Sequence, residues 1–120
     1  PAPTIVHGDY RLGNMALDPQ DPGRVIAVLD WEMATLGDPL ADLGYTLIYW
    51  AQAGDPQPAG GVGSVSPFTA LPGFFTRAEI VAAYARLSGR SVEAIDFYQV
   101  LALYKLAVIS EGIYARFLQG

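Results

Sequence analysis

The run Asp18-Pro19-Gln20-Asp21-Pro22-Gly23 leaves this chain few choices about its first third. Two prolines fix φ and remove amide donors, the aspartates can bond their own backbone, and Gly23 supplies freedom to reverse direction. On one side lies Asn14–Leu17, able to form a short strand, and on the other Arg24–Leu29 (RVIAVL), an apolar β run that ends at Asp30. Two strands joined by such a turn predict a β-hairpin, with Asn14 entering its first strand and Asp30 leaving its second. A further short β-like run, Thr4–His7, precedes it.

Beyond the hairpin the pattern becomes helical. Asp38 is suited to an N-cap and Pro39 to the first helical position, where a missing N–H costs nothing. Leu40, Leu43, Leu47 and Trp50 then recur at helical spacing, predicting a helix to about Trp50. Residues 51–75 are rich in Gly, Pro and small polar residues and predict a flexible loop. Thr76-Arg77-Ala78-Glu79 has the form of a capping box, Ile80, Tyr84 and Leu87 continue the stripe, and Gly89 ends that helix. From about Val92 to Leu118 a long helix, with a break expected at Gly112, is apolar around most of its circumference and is expected to be buried on more than one side. The aromatics Tyr45, Tyr49, Trp50, Tyr98 and Tyr104 sit at helical spacings and are expected in the core, with the alternative that some of them line a small-molecule pocket. The fold class is α+β: a small hairpin followed mostly by helices.

Charge narrows the function. The 120 residues carry a net charge of −5, and their six Arg and one Lys form no patch, so nucleic acid is not an expected partner. Charged residues make up 16%, below the roughly 25% of ordinary soluble domains. So apolar a chain is expected to pack against something larger, or to self-associate as a homo-oligomer through exposed lobe surface. With no cysteine, disulfides and thiolate metal sites are excluded. The longest apolar run, Phe97–Ile109, is interrupted by Gln99 and Lys105 and is too short for a membrane span, which needs about 20 apolar residues. Without a signal-like start, a cytoplasmic location is expected.

The chemistry concentrates in His7-Gly8-Asp9, Asn14 five residues after Asp9, and Asp30 sixteen after Asn14. Phosphoryl transfer needs a carboxylate beside the attacking hydroxyl and oxygen ligands for the magnesium that accompanies the phosphates. The hairpin can draw these three residues into one small volume, and Asn and Asp are hard oxygen donors of the kind magnesium takes. His7 is the only histidine, so a zinc site is not expected. Arg11 either reaches a transferring phosphate or pairs with a nearby carboxylate; Glu32 either assists the metal shell or faces solvent.

Val6-His7-Gly8-Asp9-Tyr10-Arg11-Leu12-Gly13-Asn14 resembles the catalytic loop of the aminoglycoside phosphotransferase and choline kinase-like family. Leu29-Asp30-Trp31-Glu32 resembles its metal-binding segment, and Gly37-Asp38-Pro39-Leu40-Ala41-Asp42-Leu43 the start of its following helix. The tail, Leu103–Arg116, is most similar to the branch fused to acyl-CoA dehydrogenase domains. The resemblance implies a kinase-like fold, ATP and Mg2+, and transfer of the γ-phosphoryl group to a small-molecule hydroxyl. Asp9 would be the catalytic carboxylate and Asn14 and Asp30 the magnesium ligands. His7 would support the loop from behind, and Asp42 would hold it through backbone N–H groups.

An ATP-binding lobe would bring a Gly-rich loop, a phosphate-holding Lys and its Glu partner. Gly60-Gly61-Val62-Gly63 lacks flanking strands, and Lys105, the only lysine, falls in the last helix. Residues 1–120 are therefore expected to form a C-terminal catalytic lobe whose N-terminal lobe lies elsewhere, and to transfer no phosphate alone. Two other readings stay open: a non-catalytic pseudokinase or binding module, and a metal-dependent phosphohydrolase. The acceptor suggested by the dehydrogenase-fused branch is a hydroxyacyl compound; low charge argues against a polycationic aminoglycoside.

Overall fold

Two pairs of antiparallel strands, one closing around the other, position everything else. The structure is a computed structural model that describes residues 2–56 and 67–120. The inner pair is the predicted hairpin: β2, Met15–Leu17, runs against β3, Val25–Val28, with Met15 opposite Val28 and Ala16 opposite Ala27. An irregularity between Ala16 and Leu17 sets Leu17 opposite Val25. The turn forms as its composition dictates, with Asp18 Oδ1 accepting the Gln20 amide at 2.9 Å and Asp21 Oδ1 the Gly23 amide at 3.3 Å. Asn14 is not part of the strand; it closes a 3-10 turn over Leu12–Asn14 that feeds β2.

The outer pair was not legible in advance. β1, Thr4–Val6, pairs with β4, Thr35–Gly37, in the register Thr4 to Gly37, Ile5 to Leu36 and Val6 to Thr35. Residues 4–37 are thereby clasped at their base.

Helix α1, Leu40–Ile48, follows at once, two residues shorter than its stripe suggested. Asp38 does cap it: its Oδ1 accepts the Leu40 amide at 2.9 Å, while Oδ2 accepts the Tyr98 hydroxyl at 2.9 Å. Leu40, Leu43 and Leu47 are buried against Ile80, Val81, Tyr84, Val92, Ile95 and Tyr98, and this is the core. Burying a leucine of this kind is worth about 1.5–3 kcal/mol. Helix α2, Arg77–Ser88, begins with the complete Thr76–Glu79 capping box and ends at Gly89, whose φ of 67° is left-handed. Leu87 departs from the expected stripe and is 78% exposed.

Helix α3, Ile95–Leu118, passes through Gly112 without the expected break. It crosses α1 where Gly44 meets Tyr98: a Cβ on Gly44 would lie 2.7 Å from the Tyr98 carbonyl carbon. The expected burial on more than one side is not met. Ala102 is its one buried residue among those described, and Phe97, Val100, Tyr104 and Phe117 are exposed, because only α1 lies substantially across it. Tyr104, expected in the core, points outward.

The predicted flexible loop, residues 51–75, is pinned at both shoulders. Arg77 holds Asp55 through two hydrogen bonds of 2.7 and 2.6 Å and donates to the Trp50 carbonyl at 2.8 Å. The Trp50 indole N–H donates to the Phe75 carbonyl at 2.7 Å, and Thr69 Oγ1 to the Ala51 carbonyl at 2.8 Å. The Gly60–Gly63 run lies outside the described residues. No helix among those described is long and apolar enough to cross a membrane.

Candidate active site

The His7–Tyr10 backbone is held largely by side chains. Gly8 must be glycine: its φ is 89°, and a Cβ there would sit 2.7 Å from the Met33 carbonyl oxygen. That conformation turns successive amides to one side, where Asp42, one turn into α1, accepts the His7 N–H at 2.7 Å and the Gly8 N–H at 2.9 Å. Thr46, one turn further along α1, donates its hydroxyl to the Tyr10 carbonyl at 2.7 Å. Short-spaced polar residues on one helix face thus anchor the loop at two points.

His7 is 2% exposed and uses both ring nitrogens. Nε2 lies 2.8 Å from the Leu29 carbonyl oxygen, and Nδ1 accepts the Asp9 amide at 3.1 Å. The tautomer that satisfies both carries its proton on Nε2, so His7 ties the loop to the end of β3 and has no lone pair left for proton transfer. Trp31 closes over it edge-on, ring centroids 4.6 Å apart.

The Asp9 carboxylate accepts hydrogen bonds from both Asn14 and Arg11. Asn14 Nδ2 donates to its Oδ2 and to its backbone carbonyl, both at 2.8 Å. Arg11 Nε donates to Oδ1 at 3.2 Å, so of the two alternatives for Arg11 the structure holds the carboxylate pair. Burial by itself raises the Asp9 pKa, but hydrogen bonds from Tyr45, Asn14 and Arg11, with the Arg11 charge, outweigh it and hold the carboxyl below its ordinary value. Tyr45 is shifted the other way, first by burial and then by hydrogen bonds with Tyr49 and Asp9, and stays a phenol.

The structure joins Asp9 and Asn14 directly. It brings Asp30 to the same end through the backbone: the Leu29 amide donates to the Asn14 carbonyl at 2.8 Å, and Met15 is paired with Val28. Asp30 has a φ of 64°, the one positive value recorded for a non-glycine residue among those described, and its side chain is exposed, with no hydrogen bond or ion pair to any described residue. Such outliers cost on the order of 1–3 kcal/mol and gather at functional sites. Glu32 is exposed and touches none of these groups.

Among the described residues there is no cluster of three or more His, Cys, Asp or Glu able to cage a metal. Magnesium in phosphotransferases does not require one: it takes one or two protein oxygens and fills its shell with phosphate and water. Asn14, with Nδ2 committed to Asp9, has its Oδ1 left for such a role, and the free Asp30 carboxylate supplies a second hard oxygen. The donor set fits that ion.

Three contributors went unrecognised in the sequence. Tyr45 looks like one more core aromatic of α1, and Thr46 like a neutral neighbour in the same helix. Lys105, on α3, donates from Nζ to the Gly8 carbonyl at 2.5 Å.

A hairpin, a side-chain-tethered Asp loop and a helix carrying the tether make up an α+β piece of the kinase-like phosphotransferase fold. Residues 1–66 match the phosphotransferase enzyme family, and the chain belongs to it. Over 98% of its length it superposes, at 37% identity and a TM-score of 0.77, on 35% of a solved chain from Ralstonia eutropha studied under the name aminoglycoside phosphotransferase. It is also 37% identical, over 97% of its length, to acyl-CoA dehydrogenase family member 11 of Gallus gallus and of Homo sapiens. A probable acyl-CoA dehydrogenase, IBR3, of Arabidopsis thaliana is 32% identical over 97% of the chain. The chain spans about 15% of the length of these dehydrogenase-named relatives.

Proposed function

We propose that this chain is the catalytic lobe of an ATP- and Mg2+-dependent phosphotransferase that moves the γ-phosphoryl group to a hydroxyl of a small molecule. The observation that carries the reading is the Asp9 carboxylate. It is held ionised by three side chains, on a loop whose amides and carbonyls are fixed by Asp42, His7, Asn14 and Thr46. A carboxylate with a lowered pKa is a weak base. It therefore acts first by orienting the acceptor hydroxyl and takes its proton late, as a loose phosphoryl-transfer transition state requires. Pre-paid orientation of this kind is worth several kcal/mol of barrier.

Asn14 and Asp30 are the residues that would hold magnesium, whose chemistry is to neutralise charge on the phosphates. Arg11, ion-paired to Asp9, adds fixed positive charge beside the carboxylate. A cavity of about 390 Å³ lies on the α1–α2 side of the loop, lined by Tyr10, Pro39, Leu43, Phe75, Ile80 and Tyr84 among others. Its apolar lining favours an acceptor with a hydrocarbon body, and the dehydrogenase-named relatives favour a hydroxyacyl compound over a polycation.

The test is full-length protein with γ-labelled ATP, magnesium and a panel of hydroxyacyl compounds, wild type against Asp9→Asn. Label in an organic product, lost in the variant, is the expected result. Release of free phosphate only would make the protein a phosphohydrolase, and no consumption of ATP would make it a binding module.

A further inference from the structure

Lys105 breaks the longest apolar run of the sequence, and its place there would ordinarily mark a solvated spot on a helix. The structure uses it differently. From the middle of α3 the side chain turns inward beside Gly8, Met33, Asp42 and Tyr45, which line a cavity of about 180 Å³. Its ammonium donates to the Gly8 carbonyl at 2.5 Å and lies 4.8 Å from the centroid of the Tyr45 ring. Of the His7–Tyr10 backbone groups gripped by side chains, the Gly8 carbonyl is the one gripped from α3 rather than from the loop, its 3-10 turn or α1.

Gly8 immediately precedes Asp9 and sits at φ 89°, so its carbonyl sets the orientation of the peptide plane that carries the Asp9 amide. A cation on that oxygen locks the plane, and the same cation over the Tyr45 face fixes that ring in the cavity wall beside Gly8. We infer that Lys105 is a positioning residue for Asp9, fixing it through the Gly8 peptide and the Tyr45 ring and so making α3 part of the catalytic apparatus. A lysine that merely filled space would not need an acceptor and an aromatic face together.

The inference rests on the phosphotransferase reading, and the experiment separates the two. Full-length wild type, Asp9→Asn, Lys105→Met and Lys105→Arg are compared by ATP turnover with magnesium and by hydrogen exchange. Lys105→Met should lower kcat tenfold or more with KM for ATP changed less than about twofold, and Lys105→Arg, which keeps the cation, should stay within about threefold of wild type. Exchange over His7–Leu12 should quicken about tenfold in Lys105→Met and stay near wild type in Lys105→Arg, with Arg77–Ser88 unaffected in both. Unchanged exchange in the loop, or a loss that arginine does not restore, overturns the inference. If Asp9→Asn is inactive while Lys105→Met keeps full kcat, the inference falls and the phosphotransferase reading stands. If Asp9→Asn turns over ATP like wild type, both fall. Should Lys105→Met fail to fold, Lys105→Gln takes its place against Lys105→Arg with the same expectations.

Discussion

Asp42 Oδ1 accepts the Gly8 amide at 2.9 Å, with Oδ2 on the neighbouring His7 amide at 2.7 Å, so one helical carboxylate satisfies two consecutive donors of the loop. Asp42→Ala strands both N–H groups in a partly buried place. It should lower the unfolding free energy by about 2–6 kcal/mol, at roughly 1–3 kcal/mol per unsatisfied donor. Asp42→Asn, which keeps one acceptor, should lose less. Urea unfolding of the two variants measures this, and a loss under about 0.5 kcal/mol for alanine would show that water replaces the carboxylate freely.

Gly44 and Gly89 differ in the reason for having no side chain. At Gly44 the obstacle is the Tyr98 backbone at 2.7 Å, which can yield only if α1 and α3 separate. At Gly89 there is open space, and only the left-handed φ of 67° resists. Gly44→Ala should cost about 1–3 kcal/mol through overpacking, and Gly89→Ala about 1 kcal/mol through backbone strain. Thermal unfolding distinguishes them; equal and negligible shifts would mean that the helices are not in the close contact described.

Acid should loosen the Asp55–Arg77 pair. The hydrogen bond from Arg77, then that from the Gln52 amide, pushes the Asp55 carboxyl down to about 2 from its usual 3.8. Since the folded value lies below the unfolded one, the pair stabilises the fold above about pH 4, and that stabilisation disappears as pH falls toward 2. Both side chains are about a third exposed, so the effect is about 1 kcal/mol at most. Asp55→Asn should therefore differ from wild type at pH 7 and converge with it near pH 2; a gap independent of pH would deny the linkage.

Asn14 serves two groups at once under the proposed mechanism. Asn14→Ala removes both hydrogen bonds to Asp9 and one magnesium oxygen. In full-length protein the half-saturating magnesium concentration for ATP turnover should rise about tenfold or more. Lower turnover with unchanged magnesium dependence would leave Asn14 a support for Asp9 and remove it from the metal.

What the sequence disclosed follows how far each relationship reaches along the chain. The β2–β3 hairpin, the capping box and the Gly89 stop are written within a few residues, and each formed as read. Asp9 and Asn14 are five apart and could be connected in advance. The β1–β4 pairing could not, because three-residue strands carry too short a period to announce a distant partner. Lys105 and Tyr45 escaped notice for a similar reason: a lone lysine in an apolar helix and an aromatic on a leucine stripe look like ordinary surface and ordinary core. The outward face of α3 misled in the opposite direction. Its apolar circumference called for burial, but what covers a surface is a property of its neighbours, and the described neighbours reach one side only.

The clasp between Thr4–Val6 and Thr35–Gly37 has a practical corollary. Closing a loop costs entropy that grows only with the logarithm of its length, so the excursion from 4 to 37 is insensitive to what is spliced into its far tip. The exposed turn at Asp18–Gly23, remote in sequence from the clasp, is thus the natural address for a fluorescent reporter or an affinity tag. A cut or insertion at either three-residue strand would instead spring the whole excursion, taking His7, Asp9, Asn14 and Asp30 with it.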